Sequence, residues 1–133
     1  MKKKIIVTLA VIAGVLLVAA VLFKLRYDRM VRFIEGQTVE AVDLGTVEDG
    51  VYKGTFGDFL LHVELEVTVE DSRITGIEIT EQRSGPGYQA LETVDRILAA
   101  QSPVVDAVSG ATGSSRSIMI AVYRALTVDG QGP

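Results

Sequence analysis

Residues 59–70 read FLLHVELEVTVE. Leu61, Val63, Leu65, Val67 and Val69 fall on one side of an extended chain. His62, Glu64, Glu66, Thr68 and Glu70 fall on the other. Alternation with a period of two marks a strand with one buried and one wetted face, which suits an antiparallel sheet. Asp71-Ser72-Arg73 then closes a hairpin, and residues 74–80 return as the next strand. Upstream, residues 51–56 read as an earlier strand containing Gly54, between turns at Glu48-Asp49-Gly50 and Gly57-Asp58. His62 lies on the polar side and reads as a solvated surface histidine, because no second His or Cys accompanies it as a metal ligand.

Downstream the period changes. A loop at 81–87 contains Ser84-Gly85-Pro86-Gly87. Residues 88–100 read as a helix with Leu91, Val94, Ile97 and Leu98 on one face, ended by Ser102-Pro103. Val104 and Val105 suggest a short buried strand. From about 114 to 126, Ile118, Ala121, Val122, Ala125 and Leu126 share a helix face, and 127–133 reads as a frayed tail. Strands followed by helices argue for an α+β domain, a small antiparallel sheet packed with two helices, over residues 47–133. A core of that size is modest but sufficient for independent folding.

The chain opens differently. Lys2, Lys3 and Lys4 precede a run at 5–23 that carries no charge. An apolar helix of this length spans a hydrocarbon core of about 30 Å. A cleaved signal peptide has a shorter apolar region and a small-residue cleavage site; here Ala19-Ala20-Val21-Leu22-Phe23 runs straight into Lys24. Residues 1–25 are therefore expected to be an uncleaved N-terminal transmembrane anchor, and 26–46 a juxtamembrane stem. Tyr27, Met30, Val31 and Ile34 continue the helical spacing into that stem, and residues 37–45 look like a connector. Lys24, Arg26, Arg29 and Arg32 balance the three N-terminal lysines, so charge alone leaves the orientation open.

Residues 1–46 hold seven Lys/Arg against four Asp/Glu, and residues 47–133 hold six against thirteen. An acidic domain on a basic membrane-proximal segment is a poor nucleic-acid binder and suits lipid headgroups near its anchor. The chain has no cysteine and one histidine. That excludes disulfides, iron–sulfur clusters and thiolate zinc within the chain, so any redox chemistry needs an organic cofactor.

Residues 106–119 read DAVSGATGSSRSIM. Helix starts leave N–H groups unpaired and carry partial positive charge, which stabilises an anion without Lys or Arg. Gly110, Ala111 and Gly113 give room for close approach, Ser109, Thr112, Ser114 and Ser115 offer hydroxyls, and Arg116 adds charge in the first turn. These residues make a phosphate cradle. On spacing alone, an ordinary N-cap by Ser114 or Thr112 is the simpler reading. The stretch is not a P-loop, and no Ser-His-Asp arrangement is supported.

Asp106-Ala107-Val108-Ser109-Gly110-Ala111-Thr112-Gly113-Ser114 resembles the covalent flavinylation motif of the FMN-binding domain family. That domain occurs in membrane subunits of sodium-pumping NADH:quinone oxidoreductase and of the related ferredoxin:NAD complex, and in small anchored redox proteins. Asp49-Gly50-Val51-Tyr52-Lys53-Gly54 resembles the family's opening strand, Gln101-Ser102-Pro103 precedes the motif at the usual interval, and Ala121-Val122 with Ala125-Leu126 match its closing helix. The resemblance covers about residues 47–127. It implies FMN carried through a phosphoester on Thr112, attached by a separate magnesium-dependent flavin transferase that takes FMN from FAD and releases AMP. Asp106 would match the acid of the motif, Ser114 stands where Thr is commoner, and Gly87 and Tyr88 would lie in a loop beside the flavin ring, where Ser84 replaces a common acid.

The resemblance thus implies a membrane-anchored flavoprotein, N-terminus cytoplasmic and domain extracytoplasmic, relaying electrons between redox proteins or quinones. It would be an electron-transfer subunit rather than a stand-alone enzyme. A noncovalent flavin-binding or assembly module of a membrane redox complex is the alternative. A fragment of a flavin-dependent reductase ranks last, since nothing in the chain supplies a catalytic domain.

Overall fold

The computed structural model describes residues 1–58, 61–84 and 90–127. Helix α1 (Lys2–Glu35) is followed by a 3-10 turn at Leu44–Thr46. Strands β1 (Gly50–Gly57), β2 (His62–Glu70) and β3 (Arg73–Arg83) come next, then helices α2 (Glu92–Ala100) and α3 (Thr112–Leu126). Met1–Phe33 forms one compact unit and the chain from Ile34 a second.

The first unit is a single helix. Its most apolar 18-residue window has a mean hydropathy of 3.1 and buries none of its residues. At 1.5 Å per residue the whole of α1 is about 50 Å long. Residues 5–23 of α1 carry no charge on any face, and the helix is long and apolar enough to cross a membrane.

The second unit is α+β, as the alternation requires. Its three strands form an antiparallel sheet in the order β1-β2-β3. Leu61, Val63, Leu65, Val67 and Val69 are all buried, as their spacing predicts. Asp71 and Ser72, at φ 48° and 61°, make the two-residue hairpin turn, whose twist requires two positive φ values. The Asp49 carboxylate accepts the Asp71 N–H at 2.9 Å, tying the start of β1 to that turn.

Helix α3 closes the core against β1 and β2. Ile118, Ile120, Ala121, Val122 and Ala125 are buried, and α3 lies so close to β1 that only glycine fits between them. A Cβ at Gly54 would run into the carbonyl oxygen of Ala121 and sit 3.0 Å from the Ala125 Cβ. Helix α2 packs on β3 and α3, with Ile97 buried. Gln101 joins α2 to the sheet. Its side-chain amide accepts the Ile74 N–H at 2.7 Å and donates to the Ile74 carbonyl at 2.9 Å.

Residues 81–83, expected in a loop, instead extend β3 to Arg83, and two further expectations require correction. The first concerns the start of α2. Ala90 has φ 55°, outside the helical region, so the helix begins at Glu92. Leu91, placed by its spacing on the apolar face, is 58% exposed. Second, Val104 and Val105 form no strand, and Val104 is 48% exposed. The Val104 N–H donates to the Ser102 hydroxyl at 3.1 Å, and the carbonyls of Asp106 and Ala107 accept from Arg96 of α2. The expected tail at 128–133 lies outside the described residues.

The Gly54 contact gives a stability prediction. Gly54→Ala should lower the stability of the full chain in detergent by about 3 kcal/mol, because the backbone of α3 must move. Thermal unfolding followed by far-UV circular dichroism checks it; a melting temperature within a degree of wild type would contradict the close approach.

Candidate functional site

Helix α3 begins at Thr112, two residues earlier than its apolar face suggests. Its N-cap is Ala111, at φ −132° and ψ 43°, and no side chain caps it. The ordinary N-cap by Ser114 or Thr112 is therefore not what forms. The first backbone bond of the helix runs from the Ser115 N–H to the Ala111 carbonyl at 2.9 Å. The N–H groups of Thr112, Gly113 and Ser114 have no partner among the described residues. The first turn carries no acidic residue. A bare helix start of this kind is complementary to an anion.

The hydroxyls divide into two sets. Thr112 is exposed, and its hydroxyl makes no hydrogen bond among the described residues. Ser109 is exposed as well. Ser114 is 5% exposed, and its hydroxyl is also without a partner among the described residues. Ser115, at 0% exposure, turns inward. Its hydroxyl accepts the Val108 N–H at 2.9 Å and donates to the Ala111 carbonyl at 2.8 Å. The Ser117 hydroxyl donates to the Gly113 carbonyl at 2.8 Å. Thr112 thus remains available for chemistry while Ser115 is consumed in shaping the loop.

Space at the site comes from two glycines. Gly110 has φ 80°, a left-handed conformation that a side chain would strain, and it is exposed. A Cβ on Gly110 or Gly113 would meet nothing within 4 Å, so both positions face open space. Asp106 is exposed, and its carbonyl and that of Ala107 accept from Arg96 Nη1 at 2.9 and 3.1 Å. An open groove of about 720 Å³ beside Asp106 is lined by Arg96, Ala99, Ala100, Val104 and Val105.

The structure therefore brings Asp106, Ser109, Gly110, Ala111, Thr112, Ser114 and Ser115 into one continuous loop and helix start. Gly87 and Tyr88, expected in a loop beside the flavin ring, lie outside the described residues. Arg116 corrects the expected cradle. Its Nη2 donates to the Gln37 carbonyl at 3.3 Å, toward the segment that follows α1, and its buried Nε has no partner among the described residues. Arg96 was not legible as part of the site. Its only signal was a Glu92–Arg96 pair at i,i+4 spacing, which helices commonly carry on a solvated face.

One group among the described residues could hold a metal ion. The β2–β3 register sets Glu81 opposite Glu64, and with His62 their ligand atoms lie within 4.8 Å of one another. Both carboxylates already have partners: His62 Nε2 lies 3.2 Å from Glu64, and Arg83 Nη2 lies 3.6 Å from Glu81.

The residues at the helix start fit a phosphate monoester. They offer an exposed hydroxyl, three N–H groups unpaired among the described residues, a nearby serine hydroxyl and glycine-lined space. No curated protein matched the chain. A family profile described as FMN-binding domain matches residues 61–127, which takes in β2, β3, α2, the 106–111 loop and α3, and leaves out β1 although β1 completes the sheet. The match covers half of the chain and contains the whole of the candidate site, so the protein belongs to the FMN-binding domain family, and FMN is the cofactor that this membership supports.

Proposed function

We propose that the protein is a membrane-anchored, extracytoplasmic flavoprotein that relays electrons through FMN held by a phosphoester on Thr112. The observation that carries this reading is the exposed Thr112 hydroxyl, without a partner among the described residues, as the first residue of an uncapped helix. A hydroxyl placed there is accessible to a transferring enzyme. Once esterified, its phosphate would lie beside the N–H groups of Thr112, Gly113 and Ser114, which can offset the negative charge.

Attachment is a phosphoryl-group transfer. Thr112 Oγ1 forms a bond to the phosphorus of the FMN half of FAD, the pyrophosphate P–O bond breaks, and AMP leaves with the bridging oxygen. The hydroxyl proton passes to solvent or to a base of the transferase, and no electron moves. Thr112 is the acceptor; the magnesium-dependent transferase supplies the catalysis. Gly110 and Gly113 leave the approach clear, and Ser115 holds the loop in shape from inside. When attached, FMN supplies one- and two-electron chemistry between a donor and an acceptor, as redox proteins or quinones would require.

A covalent link suits this fold. Tight noncovalent sites enclose most of a ligand's surface. A three-stranded sheet with two short helices has little interior to spare, and the groove beside Asp106 is open. A tether keeps the cofactor at high effective concentration while leaving an edge exposed for electron exchange. The apolar helix α1 supports the membrane anchor, and the family resemblance supports placing the domain outside the cytoplasm.

Two outcomes are expected. Co-expressed with an active flavin transferase, the wild-type chain should fluoresce in a denaturing gel and gain the mass of one FMN less water. Thr112→Ala should lose both signals, and Thr112→Ser should keep part of them. A colourless wild-type chain beside a labelled control acceptor would instead favour a noncovalent or assembly role. Separately, a C-terminal alkaline phosphatase fusion should be active, and the chain should stay with membranes through a high-salt wash. An inactive phosphatase with an active cytoplasmic reporter at the same end would reverse the orientation.

A further inference from the structure

The segment carrying Asp106 to Ala111 has no regular secondary structure, yet it is gripped at both ends by side chains from elsewhere. At its far end Ser115 binds the Val108 N–H and the Ala111 carbonyl. At its near end Arg96, in α2, donates from one nitrogen to the carbonyls of Asp106 and Ala107 at 2.9 and 3.1 Å. The guanidinium is fixed from behind. Its Nε and Nη2 donate to the Glu92 carboxylate at 3.2 and 2.7 Å. Three donor nitrogens of one planar fork are thereby used, two to orient the arginine and one to hold the loop.

This clamp acts on backbone alone. The Asp106 side chain is left exposed, with no hydrogen-bond or ion-pair partner among the described residues. A lysine could reach one of the two carbonyls but could not hold both and Glu92 in one plane.

We propose that Arg96, held by Glu92, is a positioning residue for flavin transfer to Thr112. It fixes the backbone at Asp106 and Ala107, so that the acidic side chain and the acceptor hydroxyl meet the transferase as one preformed surface. The proposal rests on the reading of Thr112 as the acceptor. The bonds made and broken are those of the phosphoryl transfer described above; Arg96 touches neither reacting atom. Its effect is to remove the ordering cost that a loose segment would meet on binding.

The test uses the full chain in detergent, purified transferase, FAD and magnesium ions, with initial rates of flavin attachment measured well below the melting temperature. Arg96→Met keeps the aliphatic stem and removes every donor. Its KM for the acceptor chain should rise roughly tenfold with kcat nearly unchanged, since two residues lose their fixed backbone. Arg96→Lys should recover part of the loss. A purely structural role would lower the melting temperature and leave KM unmoved. Arg96→Met labelled with wild-type KM overturns the proposal. Should Arg96→Met fail to fold, Glu92→Gln decides: it keeps Arg96 but loosens it, so KM should rise roughly threefold, and a wild-type KM overturns the proposal. A wild-type chain that accepts no flavin, beside a labelled control acceptor, removes the Thr112 reading and this one together.

Discussion

The close approach of α3 to β1 at Gly54 is the constraint on which the rest of the domain depends. A side chain there would push the helix off the sheet, because its first obstacle is the main-chain carbonyl of Ala121 rather than a movable group. With the gap closed, Ile118, Ala121 and Val122 complete a core that the strands begin with Val63, Leu65 and Val67. The same helix carries Thr112 at its outer end, so the burial of apolar side chains further along the element holds the Thr112 hydroxyl in place.

The start of α3 departs from ordinary practice in a way that suits a ligand. Serine and threonine commonly cap helices with their own oxygens, and this stretch is rich in both. Here the cap position holds alanine, and buried Ser115 spends its hydroxyl on the preceding loop. The loop gains order while the helix end keeps N–H groups and the Thr112 hydroxyl without partners among the described residues. A side-chain cap would stabilise the helix by about 1 kcal/mol, and forgoing it leaves a place for an external anion.

The sheet was legible because period-2 patterning is a local signal. The β2 alternation named every buried residue from Leu61 to Val69, and the hairpin at Asp71-Ser72 followed from its neighbours. The motif at 106–114 was legible because it is contiguous. What escaped was decided between elements. The left-handed turn at Ala90 moved the start of α2, and nothing local marks alanine for that conformation. Val104 and Val105 look like a strand in isolation, but the carbonyls of Asp106 and Ala107 that would continue it belong to Arg96. Arg116 reads as a cradle residue from its place in the first turn, while the packing directs it to Gln37. Arg96 and Arg116 are long side chains whose targets depend on tertiary placement and not on sequence spacing.

The amide of Gln101 has a consequence beyond holding α2. Strand β3 is an edge of the sheet, and an uncovered edge is a template on which another chain can add itself. Ile74 turns its N–H and carbonyl toward that edge, and Gln101 satisfies both, imitating one residue of a missing fourth strand. The first rung on which a foreign segment would align is already occupied. A single side chain thus makes the start of β3 a poorer template for another strand.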